Sequence, residues 1–355
     1  MIARPLPGGP DDSAPERFDA LQAGRAVAAI LVVLYHADGF VLPLRLYDGA
    51  TAWAGFGWGY AGVEFFFVLS GFIIAHVHRR DIGRPARIGR FLRRRIVRIY
   101  PIYWAILAVL LIGYALMPAG TPEAARAPAS VLASLLLVPT EARPILPIAW
   151  TLEHEMAFYL AFVALLVGAR IGAALFGLWM GACALALFHP ATSFPASFLL
   201  SPYNLLFAFG VAVAIAHPRL PRRAAAPLLA AGIAGFLAVG FSEQYLASWP
   251  LGLRTLAYGI SAAAVIAALA RARYGAPRFA VFLGDASYAI YLVHLPAMNL
   301  AAIALAPLGI ADLLPPLAAM AALSVFAMLA GVATHLAVER PLLSHFGRPR
   351  RAALA

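Results

Sequence analysis

The 355-residue chain has no lysine, one cysteine and only 16 acidic residues. A single cysteine, Cys183, excludes an internal disulfide framework and any cysteine-built metal site, so the thiol inventory does not suggest redox chemistry. The absence of lysine leaves a basic set of 27 arginines and a formal charge of +11. Those arginines are bunched between apolar runs instead of spread over one face, which makes nucleic acid a poor partner; basic clusters beside hydrophobic spans fix topology and meet anionic headgroups or an anionic cofactor. Charged residues make up 12% of the chain, and no polar stretch is long enough for an independent domain. Neither a fixed-period repeat nor a low-complexity linker is visible.

What the chain does have is apolar length: 63% of its residues are hydrophobic and its mean hydropathy is +0.83. Runs near the ~20 residues needed to cross the bilayer fall at 21–43, 56–77, 97–117, 146–168, 171–189, 199–216, 225–241, 251–270, 283–307 and 313–338. The expected fold is therefore all-α, a polytopic transmembrane bundle of about ten spans forming one domain over 1–355. It has a polar segment at 1–20, a basic loop at 78–98 and a tail at 339–355. The first twenty residues are too polar for a cleavable signal, and the apolar segment after them has full span length, so the first span is expected to stay in the mature protein.

Orientation follows from the arginines. Nine lie in "HVHRRDIGRPARIGRFLRRRIVR" after the second span, and further clusters follow the sixth, eighth and tenth; the connections "HPATSFPASF" and "SEQYLASWP" have none. The positive-inside rule then puts both termini in the cytoplasm. Within the basic loop, Ile88, Phe91, Leu92, Ile96 and Ile99 recur at near-helical spacing, the pattern of a helix lying along the headgroups. Lipid anchoring and cofactor binding both account for it.

Several ionisable residues sit where lipid would expel them. Arg25 and His36 are eleven residues apart in "GRAVAAILVVLYHADGF", about 16 Å and three turns along a helix, so they share one face. An arginine near a span end can snorkel to the interface; a histidine deeper in the span needs a cavity or a partner. In "GVEFFFVLSGF", Glu64 sits among aromatics and Ser70 precedes a glycine that permits close backbone approach, although a small serine also packs helices by itself. In "WTLEHEMAFYL", Glu155 and Tyr159 share a face, while Glu153 and His154 are placed nearer the outer boundary, where solvation suffices. "GDASYAIYLVH" sets Ser287, Tyr291 and His294 on one stripe with Tyr288 beside it; interhelical hydrogen bonds and a substrate-facing wall explain it equally. In the closing "VERP", a local ion pair of Glu339 with Arg340 is sufficient. At least four spans bring polar chemistry to membrane depth, which suggests an interior chamber. A histidine near a carboxylate there would suit general-base work.

In order along the chain, Arg25 with His36, "GVEFFFVLSGF", "FLRRRIVRIYPIYW", "WTLEHEMAFYL", "SYAIYLVH" and the final "ERP" resemble the acyltransferase 3 family of membrane acyltransferases, especially its exopolysaccharide O-acetyltransferase branch. The likeness covers nearly the whole chain. It implies a multi-pass protein of the bacterial inner membrane that takes an acyl group from cytoplasmic acetyl-CoA, with no metal, and passes it to a glycan hydroxyl. Polysaccharide biosynthesis proteins and membrane lipid are the implied partners. It further implies that His36 acts in acyl transfer, as base or acyl carrier, paired with Arg25 and oriented by Glu64 or Glu155. The cluster of Arg90, Arg93, Arg94, Arg95 and Arg98 lies where the family binds coenzyme A, and Ser70, Tyr159, Ser287, Tyr288, Tyr291 and His294 would line the substrate path. Relatives commonly read "WSLxxExxFYL", so Glu153 and His154 are departures. A glycan or lipid flippase and an acyltransferase for a non-glycan acceptor are the alternatives.

Overall fold

The computed structural model describes residues 18–117, 121–271 and 275–347, and among these it contains helices and no strand. In lipid only a helix satisfies its own backbone, and the long apolar runs fold accordingly. Among the described residues, nine helices are long and apolar enough to cross a membrane. They are α1 (Asp19–Arg45), α2 (Ala54–His78), α3 (Pro85–Leu116), α4 (Pro147–Val167), α6 (Ala196–Arg219), α7 (Arg222–Tyr245), α8 (Leu251–Arg271), α9 (Arg278–Leu308) and α10 (Pro316–Phe346). The remaining expected span, 171–189, is the shorter apolar helix α5 (Ala169–Leu185). Its 17 residues reach about 26 Å, a few ångströms less than the ~30 Å hydrocarbon core.

The bundle is organised around α2, which has 67% of its apolar window buried against 22% for peripheral α7. Helix α2 packs on α6, α8 and α1; α9 packs on α1 and α10; α7 covers α8; and α5 pairs with α4. A close crossing is that of α2 on α6, where Gly71 and Gly210 each stand against the opposing backbone, Gly71 at the Phe207 carbonyl and Gly210 at that of Val68. A Cβ at either position would collide with main chain, so the crossing depends on the missing side chains. A second such contact, Gly284 of α9 against the Gln22 carbonyl of α1, brings α1 and α9 together at the level of Arg25. Large apolar side chains such as Val109, Leu178 and Leu329 face outward on the perimeter.

The basic stretch differs from expectation. It is not a separate interfacial helix, because α3 runs without interruption from it into the apolar span. Phe91 and Ile99 are buried, with the Phe91 ring packed against His78 and Phe162. The apolar positions among the arginines thus extend the core-facing stripe of the span, and the loop expected over 78–98 contracts to residues 79–84. A nine-residue helix, Pro128–Leu136, lies across α3. Its terminal carbonyls at Ser134, Leu135 and Leu136 accept hydrogen bonds from Tyr103, Trp104 and Tyr100, which supplies partners that a helix end otherwise lacks.

Candidate active site

A cavity of about 460 Å³ lies between α1, α2, α3, α4, α9 and α10. Along α2 its wall runs from Ile74 to Val63, about 16 Å of helix. Arg93, Arg94, Arg95 and Arg98 line one end, together with Leu343 and Phe346 from α10; Val63, Phe66, Thr151 and Tyr291 line the other. Arg25 reaches the wall from α1, and Ser70, Glu155, Tyr159, Ser287 and Tyr288 complete it. Eleven of the residues singled out in the sequence therefore share one surface. His36, His294, Glu64 and Arg90 lie outside the lining, so His36 does not share the cavity wall with Arg25 as expected; Arg90 is exposed, because its place on α3 turns it away from the cavity face.

The arginine end is held from behind. Arg98 donates to Glu339 Oε1 at 2.5 Å, and the other oxygen of that fully buried carboxylate pairs with His335 Nδ1 at 2.6 Å. Glu339 is thus not the local partner of Arg340 that proximity in the chain suggested; the π turn His335–Glu339 rotates it inward toward α3. Arg98 also lies over the Tyr288 ring at 5.2 Å, and Arg95 over Tyr159 at 5.9 Å. Nε of Arg95 is buried with no hydrogen-bond partner among the described residues. Guanidinium groups fixed in this way, with donors left over, suit a multiply anionic ligand carrying phosphates.

Midway, Glu155 Oε1 accepts from Ser70 Oγ at 2.9 Å and from the Tyr159 hydroxyl. Arg25 donates to Gln22 Oε1 at 3.1 Å. At the far end, the Tyr291 hydroxyl meets the Ile148 carbonyl at 3.1 Å and Thr151 Oγ1 at 3.0 Å, bridging α9 and α4. The Phe66 and Tyr291 rings pack 6.3 Å apart, edge to face.

His294 stands one turn beyond Tyr291, with ring centroids 5.8 Å apart, and His36 lies next to it, with centroids 4.9 Å apart. The expected carboxylate partner of His36 is not there. Its Nδ1 lies 2.9 Å from the Val32 carbonyl and 3.2 Å from His294 Nε2. Glu155 is occupied with Ser70 and Tyr159, and Glu64 is fully buried with neither oxygen meeting another side chain. The carbonyl contacts fix the tautomers. His294 Nδ1 faces the Ile290 and Tyr291 carbonyls at 3.2 and 2.6 Å; carbonyls only accept, so Nδ1 carries the proton and Nε2 is the acceptor. The His36 Nδ1–H is then shared between Val32 and His294, and His36 Nε2 is left with its lone pair.

Immediately after His36 the helix takes a π turn, Ala37–Val41, a feature common at functional sites. The turn brings in a residue that the sequence reading missed. Asp38 is buried and accepts from the backbone N–H groups of Ala52 and Trp53 at 2.6 and 3.2 Å, fastening the loop above His36. Its signal was its position two residues from His36 in an otherwise apolar run. Thr151 and His335 were also overlooked, although His335 precedes Glu339 by one helical turn. Glu153 and His154 are buried, against the expectation of solvated positions. His154 bonds Asn204 at 2.8 Å and stacks on Phe198, so it serves packing between α4 and α6.

The acyltransferase-domain family profile matches residues 18–336. The chain is 33% identical over 312 residues to "Exopolysaccharide production protein ExoZ" of Rhizobium meliloti (strain 1021), covering 82% of this chain and 92% of that protein. It is 36% identical over 99 residues to "Protein 2 in picA locus" of Rhizobium radiobacter, covering 28% of this chain and 46% of that one. No solved structure matches it.

Proposed function

The chain belongs to the acyltransferase 3 family of multi-pass membrane proteins, and we propose that this acyltransferase carries an acetyl group from acetyl-CoA to a hydroxyl of an exopolysaccharide or its lipid-linked precursor. It works in the bacterial inner membrane with its arginine-rich end facing the cytoplasm. The observation that carries the reading is one cavity lined by arginines at one end and by Tyr291 at the other, with a pair of histidines next to Tyr291. Likeness to a protein named for exopolysaccharide production supports the class of acceptor.

Arg93, Arg94, Arg95 and Arg98 hold the phosphates and pyrophosphate of the donor, and Arg25 sits along the path of its thioester arm. The acyl end points at Tyr291. His36 Nε2 withdraws the proton of the acceptor hydroxyl as its oxygen adds to the thioester carbonyl carbon. The carbon–sulfur bond then breaks, and His36 returns the proton to the departing thiolate. While protonated, His36 donates from Nδ1 to His294 Nε2, a neutral acceptor that holds the ring in orientation without supplying the negative charge a carboxylate would.

Purified protein given radiolabelled acetyl-CoA and a deacetylated exopolysaccharide fraction is expected to label the glycan. His36→Ala is expected to lower the rate by ~10²–10⁴-fold, the usual contribution of a general base. Normal transfer by a folded His36→Ala protein would overturn the mechanism. Absence of acetyl-CoA binding by wild type would overturn the donor and favour a flippase.

A further inference from the structure

At the end of the bundle away from the arginines there is a second polar group, which the mechanism above does not use. Glu243, near the end of α7, accepts hydrogen bonds from Tyr60 at 2.5 Å, Tyr258 at 3.1 Å and Arg254 Nη1 at 2.9 Å. The Arg254 guanidinium lies 4.8 Å from the centroid of the Tyr60 ring. Tyr60 meets Tyr35 edge to face at 5.4 Å, and Tyr35 meets His36 in the same way at 5.1 Å. The ring contacts therefore run unbroken from Arg254 to His36. Tyr35, His36 and Tyr60 are all partly exposed, as are the side chains of Arg254 at 29% and Glu243 at 16%.

Two observations set this group apart from a closed structural ion pair. Arg254 Nε is buried and has no hydrogen-bond partner among the described residues. Glu64, which interacts electrostatically with both Arg254 and Tyr35, likewise has no side-chain partner for either oxygen. Donor and acceptor capacity is thus left over beside partly exposed aromatic faces. A sugar ring matches that combination, since its C–H faces lie against tyrosine rings and its hydroxyl rim exchanges hydrogen bonds with carboxylate and guanidinium. The charge balance selects among sugars. Glu243 neutralises Arg254, so a phosphate or diphosphate would meet no net positive charge here, unlike at the arginine mouth.

We propose that Tyr35, Tyr60, Glu243 and Arg254 form the acceptor subsite, which takes an uncharged, hydroxyl-bearing sugar ring and sets one of its hydroxyls against His36. This rests on the acyltransferase reading above and adds to it the residues that hold the acceptor and the charge of the part they hold.

The test uses full-length protein in lipid nanodiscs with acetyl-CoA and a neutral, unacetylated oligosaccharide prepared from exopolysaccharide. For Arg254→Gln and Tyr60→Leu the acceptor KM is expected to rise about tenfold or more, with kcat falling less than about threefold and acetyl-CoA affinity held within about twofold. A purely structural role would depress acetyl-CoA binding and kcat together. An unchanged acceptor KM in variants that still bind acetyl-CoA overturns the proposal. Should both variants lose acetyl-CoA binding, Tyr60→Phe, which keeps the ring, decides: a KM increase of about threefold supports the subsite and no change overturns it. A marked preference for a diphosphate-linked saccharide that Arg254→Gln removes would overturn the uncharged assignment. If wild type transfers to no saccharide, the functional reading fails on its own. Saccharide binding, followed by the fluorescence of Trp58 in the same cluster, then decides the subsite, and its absence overturns the proposal.

Discussion

His294 Nε2 lies 3.2 Å from His36 Nδ1, and its own Nδ1 is committed to two backbone carbonyls. Two imidazoles separated by 258 positions in the chain thus do what a histidine and a carboxylate do elsewhere: the second fixes the tautomer of the first. In the proposed mechanism His294 is accordingly a positioning residue. His294→Ala is expected to lower kcat by about ten- to a hundredfold, less than loss of the base itself. His294→Gln, whose carbonyl oxygen can accept from His36 Nδ1, should recover part of that loss. Measuring kcat and acetyl-CoA affinity in both variants separates the cases, since a packing defect would not be repaired by glutamine.

The Glu339 carboxylate ties Arg98 to His335 and so connects the closing "VERP" to the arginine end of the cavity. Glu339→Ala leaves a buried histidine and a cavity-facing arginine without their anchor. Removing one partner of a fully buried pair costs ~3–5 kcal/mol. Because the Arg98 side chain is 31% exposed, about 2 kcal/mol is a better expectation here. Thermal unfolding in detergent should fall by several degrees, and the acetyl-CoA KM should rise by about tenfold because Arg98 is no longer held in place. Stability lost with the KM unchanged would show that the network only holds α10 to α3.

How much of this was legible in the sequence depended on distance along the chain. The spans were readable because each is a local run of apolar residues. Arg25, Glu155 with Tyr159, and the stripe Ser287, Tyr288, Tyr291 were readable because helical periodicity places them on single faces. What failed were pairings between helices. Nothing local in "VERP" shows that Glu339 turns toward Arg98, 241 positions away, so the adjacent Arg340 was the natural but incorrect partner. A carboxylate was the expected companion of His36 because that is the commoner chemistry, and only the α1–α9 crossing at Gly284 reveals the histidine in its place. The fate of the basic loop was partly legible: the periodicity of Phe91 and Ile99 was seen, but whether that stripe faced lipid or protein depended on α2 and α4.

The aromatic end of the cavity predicts selectivity for the proposed donor. Phe66 and the hydrogen-bonded pair of Tyr291 and Thr151 line that end and would limit the length of an acyl group placed there. One methylene in such a pocket is worth ~1–3 kcal/mol, so acetyl-CoA should be preferred over butyryl-CoA by about a hundredfold or more. Phe66→Ala should narrow that ratio by about tenfold, mainly by accelerating the longer donor. A series of acetyl-, propionyl- and butyryl-CoA, assayed with a fixed acceptor, measures it. Equal use of butyryl-CoA by wild type would show that the aromatic end does not limit the acyl group.

The alternation of arginines along the chain makes a last prediction that can be tested in cells. The single native thiol, Cys183, is fully buried and should stay unlabelled by a membrane-impermeant maleimide, which gives a silent background. Arg84 and Ala247 are both exposed and lie in connections at opposite ends of the bundle, one between α2 and α3 and the other between α7 and α8. If positive charge fixes the orientation, Arg84→Cys should react only after the inner membrane is permeabilised, whereas Ala247→Cys should react once the reagent reaches the outer face of that membrane. The reverse pattern would put the arginine mouth outside. It would separate the cavity from any cytoplasmic thioester, and the proposed donor could not be acetyl-CoA from the cytoplasm.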